Sequence, residues 1–139
     1  MALKIEQVSG LNVPDSFIRV IVNTVTNEGD SVGGAKVVTL NFRDPDYSPE
    51  AGGFHPVEVR LEKQATSWQL VYITDFSYQG RHTPELIKEI DVCFSIKQVY
   101  HFLAGWLNAR EGKELLALFI SNFVEYYNTG CYQVTVTTE

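Results

Sequence analysis

The residues with chemical potential lie in the middle of the sequence. His55 shares the alternation parity of Val57, Val59 and Leu61, which sets it toward the apolar side of a strand, near its entry. An imidazole there is either a hydrogen-bonded, partly buried residue or a general base. Asp75 follows Val71 and Ile73 on one face of a very apolar run. A buried carboxylate needs a partner, and Arg43 or Arg60 on neighbouring strands would supply one. Arg43, His55, Arg60 and Asp75 are thus the polar set expected to converge on one sheet. Asp75 is expected to be a satisfied structural carboxylate rather than a reactive acid.

The loop Arg43-Asp44-Pro45-Asp46-Tyr47-Ser48-Pro49-Glu50-Ala51-Gly52-Gly53-Phe54-His55-Pro56 is the most unusual stretch. Asp44, Asp46 and Ser48 alternate like the start of a calcium loop. Pro49 then stands where that loop needs glycine, and His55 where it needs its closing glutamate. A turn-rich connector whose aspartates bond their own backbone fits better. Gly52-Gly53 lacks the lysine and Ser/Thr of a phosphate loop. The candidate binding residues are therefore Arg43, Asp44, Asp46, His55, Arg60 and Asp75, with no catalytic residue named. His55, His82 and His101 have no metal-ligand spacing. Cys93 and Cys131 form no C-x-x-C, and free thiols in a reducing, cytoplasmic setting are expected. No G-x-S-x-G occurs. No metal or cofactor is expected.

The elements that must position these residues are legible in outline. Pro14-Asp15-Ser16 reads as a helix start, and Phe17, Ile18, Ile21, Val22 and Val25 fall on one helical face to about Asn27. Leu3 to Glu6 alternates weakly as a short edge strand. Glu28-Gly29-Asp30 and Gly33-Gly34 break the chain. Strands follow over Val37–Arg43 and Val57–Glu62. The run Trp68–Phe76 is apolar on both faces, the pattern of a central strand covered on both sides. Glu89–Ser95 and Val99–Leu107 suggest two more strands. Asn108 with Glu111 has the logic of a capping box and opens a long helix with a stripe of Leu115, Leu116, Leu118, Phe119, Ile120, Phe123 and Val124, closed by Gly130. Tyr132, Val134 and Val136 make a last strand. The fold class expected is α+β: a mostly antiparallel sheet of about six or seven strands, flanked by an N-terminal helix and a long C-terminal helix.

Composition sets the outer bounds. The 139 residues suit a single domain. Hydrophobic residues at 45% and charged residues at 20% argue for a packed core rather than disorder. The net charge of −6, with Lys and Arg scattered singly, argues against a nucleic-acid partner. No apolar run reaches the ~20 residues that span a membrane, and the N-terminus shows no signal-peptide pattern.

The strings Asn41–Ser48, Gly52–Glu62 and Trp68–Tyr78, with the ending Ser121-Asn122-Phe123 and Gly130–Val134, resemble a family of small bacterial proteins, domain of unknown function 2787. The resemblance covers nearly the whole chain. It implies a protein of a kind encoded on mobile islands of gamma-proteobacteria. It also implies a fold like that of the mitochondrial acidic matrix proteins, a twisted antiparallel sheet with flanking helices in a ring-like oligomer, and it brings no established catalytic residue.

Two functional classes follow. The first is a non-enzymatic protein-binding or oligomeric scaffold module, a dimer or trimer, which the lack of a nucleophile, metal set or cofactor loop favours. The second is a small-ligand binder or small enzyme using the 43–60 loop and strand region. A deep pocket with converging polar groups would favour the second, and a flat or filled surface the first.

Overall fold

The computed structural model describes residues 3–27 and 32–139; the expected break at Glu28-Gly29-Asp30 lies outside them. The elements run β1 (Ile5–Glu6), α1 (Asp15–Asn27), β2 (Val37–Arg43), β3 (Val57–Gln64), β4 (Ser67–Gln79), β5 (Glu85–Cys93), β6 (Gln98–His101), β7 (Gly105–Asn108), α2 (Ala109–Asn128) and β8 (Gln133–Thr138). One sheet takes the order β7-β6-β5-β4-β3-β2-β8, with every neighbouring pair antiparallel. The short β1 adds in parallel to the start of β4, Ile5 opposite Trp68. The stretch Val99–Leu107 is a hairpin rather than one strand. A turn at Phe102–Ala104 folds β7 back on β6, and Gly105 takes the positive φ, +78°, that the reversal needs.

Both helices form where expected, but their buried faces are shifted: Val20 and Thr24 of α1 are buried where Ile18 and Val22 are half-buried, and Leu118 of the expected α2 stripe is exposed. α1 carries many β-branched residues, yet it buries Phe17, Val20, Ile21 and Val25 on one face, and that burial overrides their strand preference. α2 begins on a complete capping box: Glu111 N–H donates to Asn108 Oδ1 at 2.8 Å, and Asn108 N–H donates to Glu111 Oε1 at 3.2 Å. Its Leu116, Phe119, Ile120 and Phe123 are buried. Phe123 is the junction, with ring centroids 5.8 Å from Phe17 of α1, 4.9 Å from Phe42 of β2 and 5.7 Å from Tyr132. The two helices therefore share one face of the sheet, the face that also carries Val38, Leu40, Val59 and Leu61.

The two-sided apolarity of the central strand has a different cause from two-sided cover. Arg60 pairs with Tyr72 but Leu61 pairs with Leu70, so Val71 is an extra residue in β4. This bulge switches the strand's parity. Trp68 and Leu70 face the core before it, and Ile73, Asp75 and Ser77 after it. The far face carries polar pairs instead of a helix: Tyr72 donates to Glu58, and Thr74 Oγ1 donates to Asp91 Oδ1 at 2.8 Å.

The seat of α2 on β6 gives a test. A Cβ at Gly112 would stand 2.7 Å from Val99 Cβ and Cγ2, and Val99 is fully buried. Gly112→Ala in a free helix gains about 1 kcal/mol. Here overpacking reverses the sign and costs about 1–3 kcal/mol. Urea denaturation should show a lower midpoint, and an equal or higher one would mean that α2 does not rest on β6 in this way.

Candidate functional site

Three side chains from three segments meet beneath α2. His55 enters from the end of the loop, two residues before β3, on the face its parity predicts. Its Nδ1 lies 3.0 Å from Asp75 Oδ1 and 3.4 Å from Glu89 Oε2. Asp75 projects from β4 and is only 7% exposed. Glu89 arrives through a second bulge. Asp75 pairs with Ile90 and Phe76 with Lys88, which leaves Glu89 as the extra residue of β5. Simple alternation would point Glu89 away from Ile90; the bulge turns both toward the helix side, where they line one cavity with Asp75.

A relay of donors holds Glu89. Ser77 Oγ donates to Glu89 Oε1 at 3.2 Å, and Gln79 Nε2 donates to Ser77 Oγ at 3.0 Å. His55 is held from behind. Its ring packs on Tyr47 at 5.3 Å between centroids, and Tyr47 Oη accepts the backbone N–H of Tyr78 at 2.9 Å. Tyr132 Oη donates to the His55 carbonyl at 3.5 Å.

The loop is built to present His55. Asp44, itself buried, accepts Asp46 N–H at 2.9 Å and Phe54 N–H at 3.1 Å through its two oxygens. Gly53 sits at φ +131°, and a Cβ there would come within 3.0 Å of Asp44 Oδ2 and 3.1 Å of Tyr47 Cα. Only glycine fits. Asp44 is therefore a loop organiser, and Asp46 stands exposed beside it.

The expected convergence of Arg43 and Arg60 with Asp75 does not occur. Phe42 and Val59 face the core, so the adjacent Arg43 and Arg60 face the other way. Arg60 lies 3.5 Å from Glu62 and 3.8 Å from Glu139. Arg43 lines a separate hollow on the far face with Asn41, Glu58 and Tyr78. The partner of Asp75 is His55. Glu89, outside the set expected from sequence, completes the trio. Its signal was the spacing of Ile87 and Ile90, three apart where a regular strand keeps two.

The trio forms the polar end of a cavity of about 340 Å³. α2 supplies the roof with Leu115, Leu118, Asn122 and Tyr126, and Phe54 and Tyr132 close the side. Phe54 and Tyr126 pack at 4.5 Å between centroids. Leu118, also in the lining, is 60% exposed.

The electrostatics follow from the contacts. The hydrogen bond to Asp75 is the main influence holding the His55 pKa above the ordinary 6.5 of imidazole; the charges of Asp75 and Glu89 add to it, and partial burial opposes it. Burial pushes Asp75 above its ordinary 3.8, His55 pulls it back by hydrogen bond and charge, and Glu89 pushes it up again. An imidazole hydrogen-bonded to one carboxylate and within 3.4 Å of a second suits binding a polar group or moving a proton.

A family model, "Protein of unknown function (DUF2787)", matches residues 15–137. The chain belongs to this family. Among solved structures, the hypothetical protein VC0508 from the VSP-II pathogenicity island of Vibrio cholerae is 31% identical, with a TM-score of 0.89 and 99% of each chain covered. The conserved hypothetical protein VC1805 from pathogenicity island VPI-2 of the same organism is also 31% identical, with a TM-score of 0.84 over 96% of this chain and 99% of its own, and it shares structural homology with the human P32 protein. No curated protein matches the chain.

Removing the imidazole tests this electrostatic account. His55→Ala leaves Asp75 buried beside Glu89 without its partner, a loss of about 1–3 kcal/mol near pH 7. A carboxylate whose folded pKa is raised favours the folded state below its unfolded pKa, and that advantage disappears as pH rises through the folded pKa. Without His55 the Asp75 pKa rises further. The imidazole also contributes: its raised pKa gives wild type a stability that grows as pH falls from 7 through the imidazole range and that the variant lacks. The variant's deficit relative to wild type should therefore first widen as pH falls from 7 and then narrow toward pH 4, as Asp75 takes up its proton, in urea titrations. A deficit constant over that range would mean that the His55–Asp75 contact is not what was lost.

Proposed function

We propose that this protein binds a small organic ligand in the cavity beneath α2, with an apolar or aromatic body against Leu115, Leu118, Phe54 and Tyr126 and a polar head at His55, Asp75 and Glu89. The observation that carries this reading is the convergence of three titratable groups in one largely apolar, aromatic-walled hollow. Ligand sites combine apolar walls with a few convergent polar groups in this way, and the cavity volume suits a metabolite-sized molecule. The two pathogenicity-island relatives support placing this chain among accessory proteins of mobile islands.

A ligand-observed NMR screen of small aromatic and aliphatic compounds tests the reading against a filled cavity. Leu118→Trp enlarges an exposed wall residue, which should obstruct the hollow and leave the fold intact. Compounds that bind the wild type should lose at least about tenfold in affinity to this variant, since blocking costs more than 1.4 kcal/mol. Equal binding to both proteins, or no binders at all, would count against the cavity as the site.

A second reading, self-association, is favoured by the sheet's edge. β8 pairs only with β2 among the described residues, and its Gln133, Val134 and Thr135 are exposed. An open edge without lysine or proline invites another strand. Light scattering over a dilution series should then give a mass that is a multiple of 15.7 kDa, and a constant 15.7 kDa would remove this reading.

A further inference from the structure

We propose that His55, Asp75 and Glu89 hold a divalent first-row transition-metal ion through His55 Nδ1, Asp75 Oδ1 and Glu89 Oε2, in the wall of the cavity. The three donor atoms lie within 4.8 Å of one another, with the imidazole nitrogen 3.0 and 3.4 Å from the two oxygens. Donors bonded to one ion at about 2.0–2.2 Å stand at comparable separations, so small side-chain rotations complete the site.

Charge points the same way. Two carboxylates, one of them buried, face a single imidazole. Among the described residues no lysine or arginine pairs with either carboxylate: Arg60 is spent on Glu62 and Glu139, and Lys88 on Asp91. A divalent ion neutralises both carboxylates and uses the imidazole lone pair in place of the proton that His55 shares with Asp75. An organic amine would instead compete with His55 for the same carboxylate. The nitrogen donor also sets the metal class. Magnesium and calcium favour all-oxygen shells, whereas an imidazole with two carboxylates suits zinc, iron or manganese.

The surroundings match those of a built site. Ligating carboxylates are oriented by outer hydrogen bonds, and Ser77, backed by Gln79, holds the second oxygen of Glu89. The three ligands come from a fixed loop end, a central strand and a bulge, rather than from one exposed acidic run. The cavity beside them leaves room for a further ligand on the ion.

The test is calorimetric titration of the full chain, stripped with EDTA, with zinc chloride and separately with manganese chloride, and with no organic compound present. The expected result is one ion per chain, zinc tighter than manganese. His55→Ala and Glu89→Gln should each weaken binding at least about tenfold, and Ser77→Ala about tenfold. Cobalt(II) should give a visible absorption band that His55→Ala abolishes. Leu118→Trp should retain metal affinity within about threefold, because it alters a wall residue and leaves the ligands in place, so a failure of the organic-ligand reading is seen separately. Circular dichroism confirms the fold of each variant, and if His55→Ala does not fold, Glu89→Gln decides. Absence of one-to-one binding by either ion, or binding that survives unchanged in the folded ligand variants, overturns the proposal.

Discussion

The interaction on which the rest of the site depends is the contact between Asp75 and His55. A carboxylate held almost out of water in the central strand of a sheet is unstable unless something offsets its lost hydration. Here the offset is an imidazole at 3.0 Å, and the placing of that imidazole organises everything around it. The loop from Asp44 to Pro56 turns on Gly53 and on the two oxygens of Asp44, and it delivers His55 at the entry of β3. Tyr47 and Tyr132 then fix the ring and the carbonyl.

Two bulges do the remaining positioning. The extra residue Val71 in β4 moves Asp75 and Ser77 onto the helix face. The extra residue Glu89 in β5 brings a second carboxylate to that face. Without the first bulge Asp75 would face away from α2; without the second, Glu89 would. Bulges concentrate where a sheet must re-aim a side chain, and both lie within a few residues of the polar trio. α2, anchored by its capping box and by Phe123, covers the result.

Much of this was legible in the sequence. The alternation through Val57, Val59 and Leu61 placed His55 on the right face, and the Asn108–Glu111 pair fixed the start of α2. Asp44 acts as a hydrogen-bond acceptor that organises its own loop, as the turn company indicated. The arginine partners were misassigned because proximity of strands was weighed without parity: Arg43 follows core-facing Phe42, and Arg60 follows core-facing Val59. Glu89 was missed for a related reason. A bulge is a one-residue break in a period of two, and in β5 it shows only as Ile87 and Ile90 standing three apart. The apolar run Trp68–Phe76 carries the same kind of break, which imitates the pattern of two-sided burial. Strand pattern locates faces well while the period holds and inverts them where it does not.

The central claim is that a strand bulge brings Glu89 to a His55 already paired with Asp75. Long-range proton–nitrogen NMR of the His55 ring in metal-free buffer reads it directly, as the titration midpoint of that one imidazole. The account predicts a midpoint above the ordinary 6.5 that moves down in Glu89→Gln and further down in Asp75→Asn, because each loses a carboxylate that favours the imidazolium. A midpoint at or below 6.5, unmoved by Glu89→Gln, would contradict it.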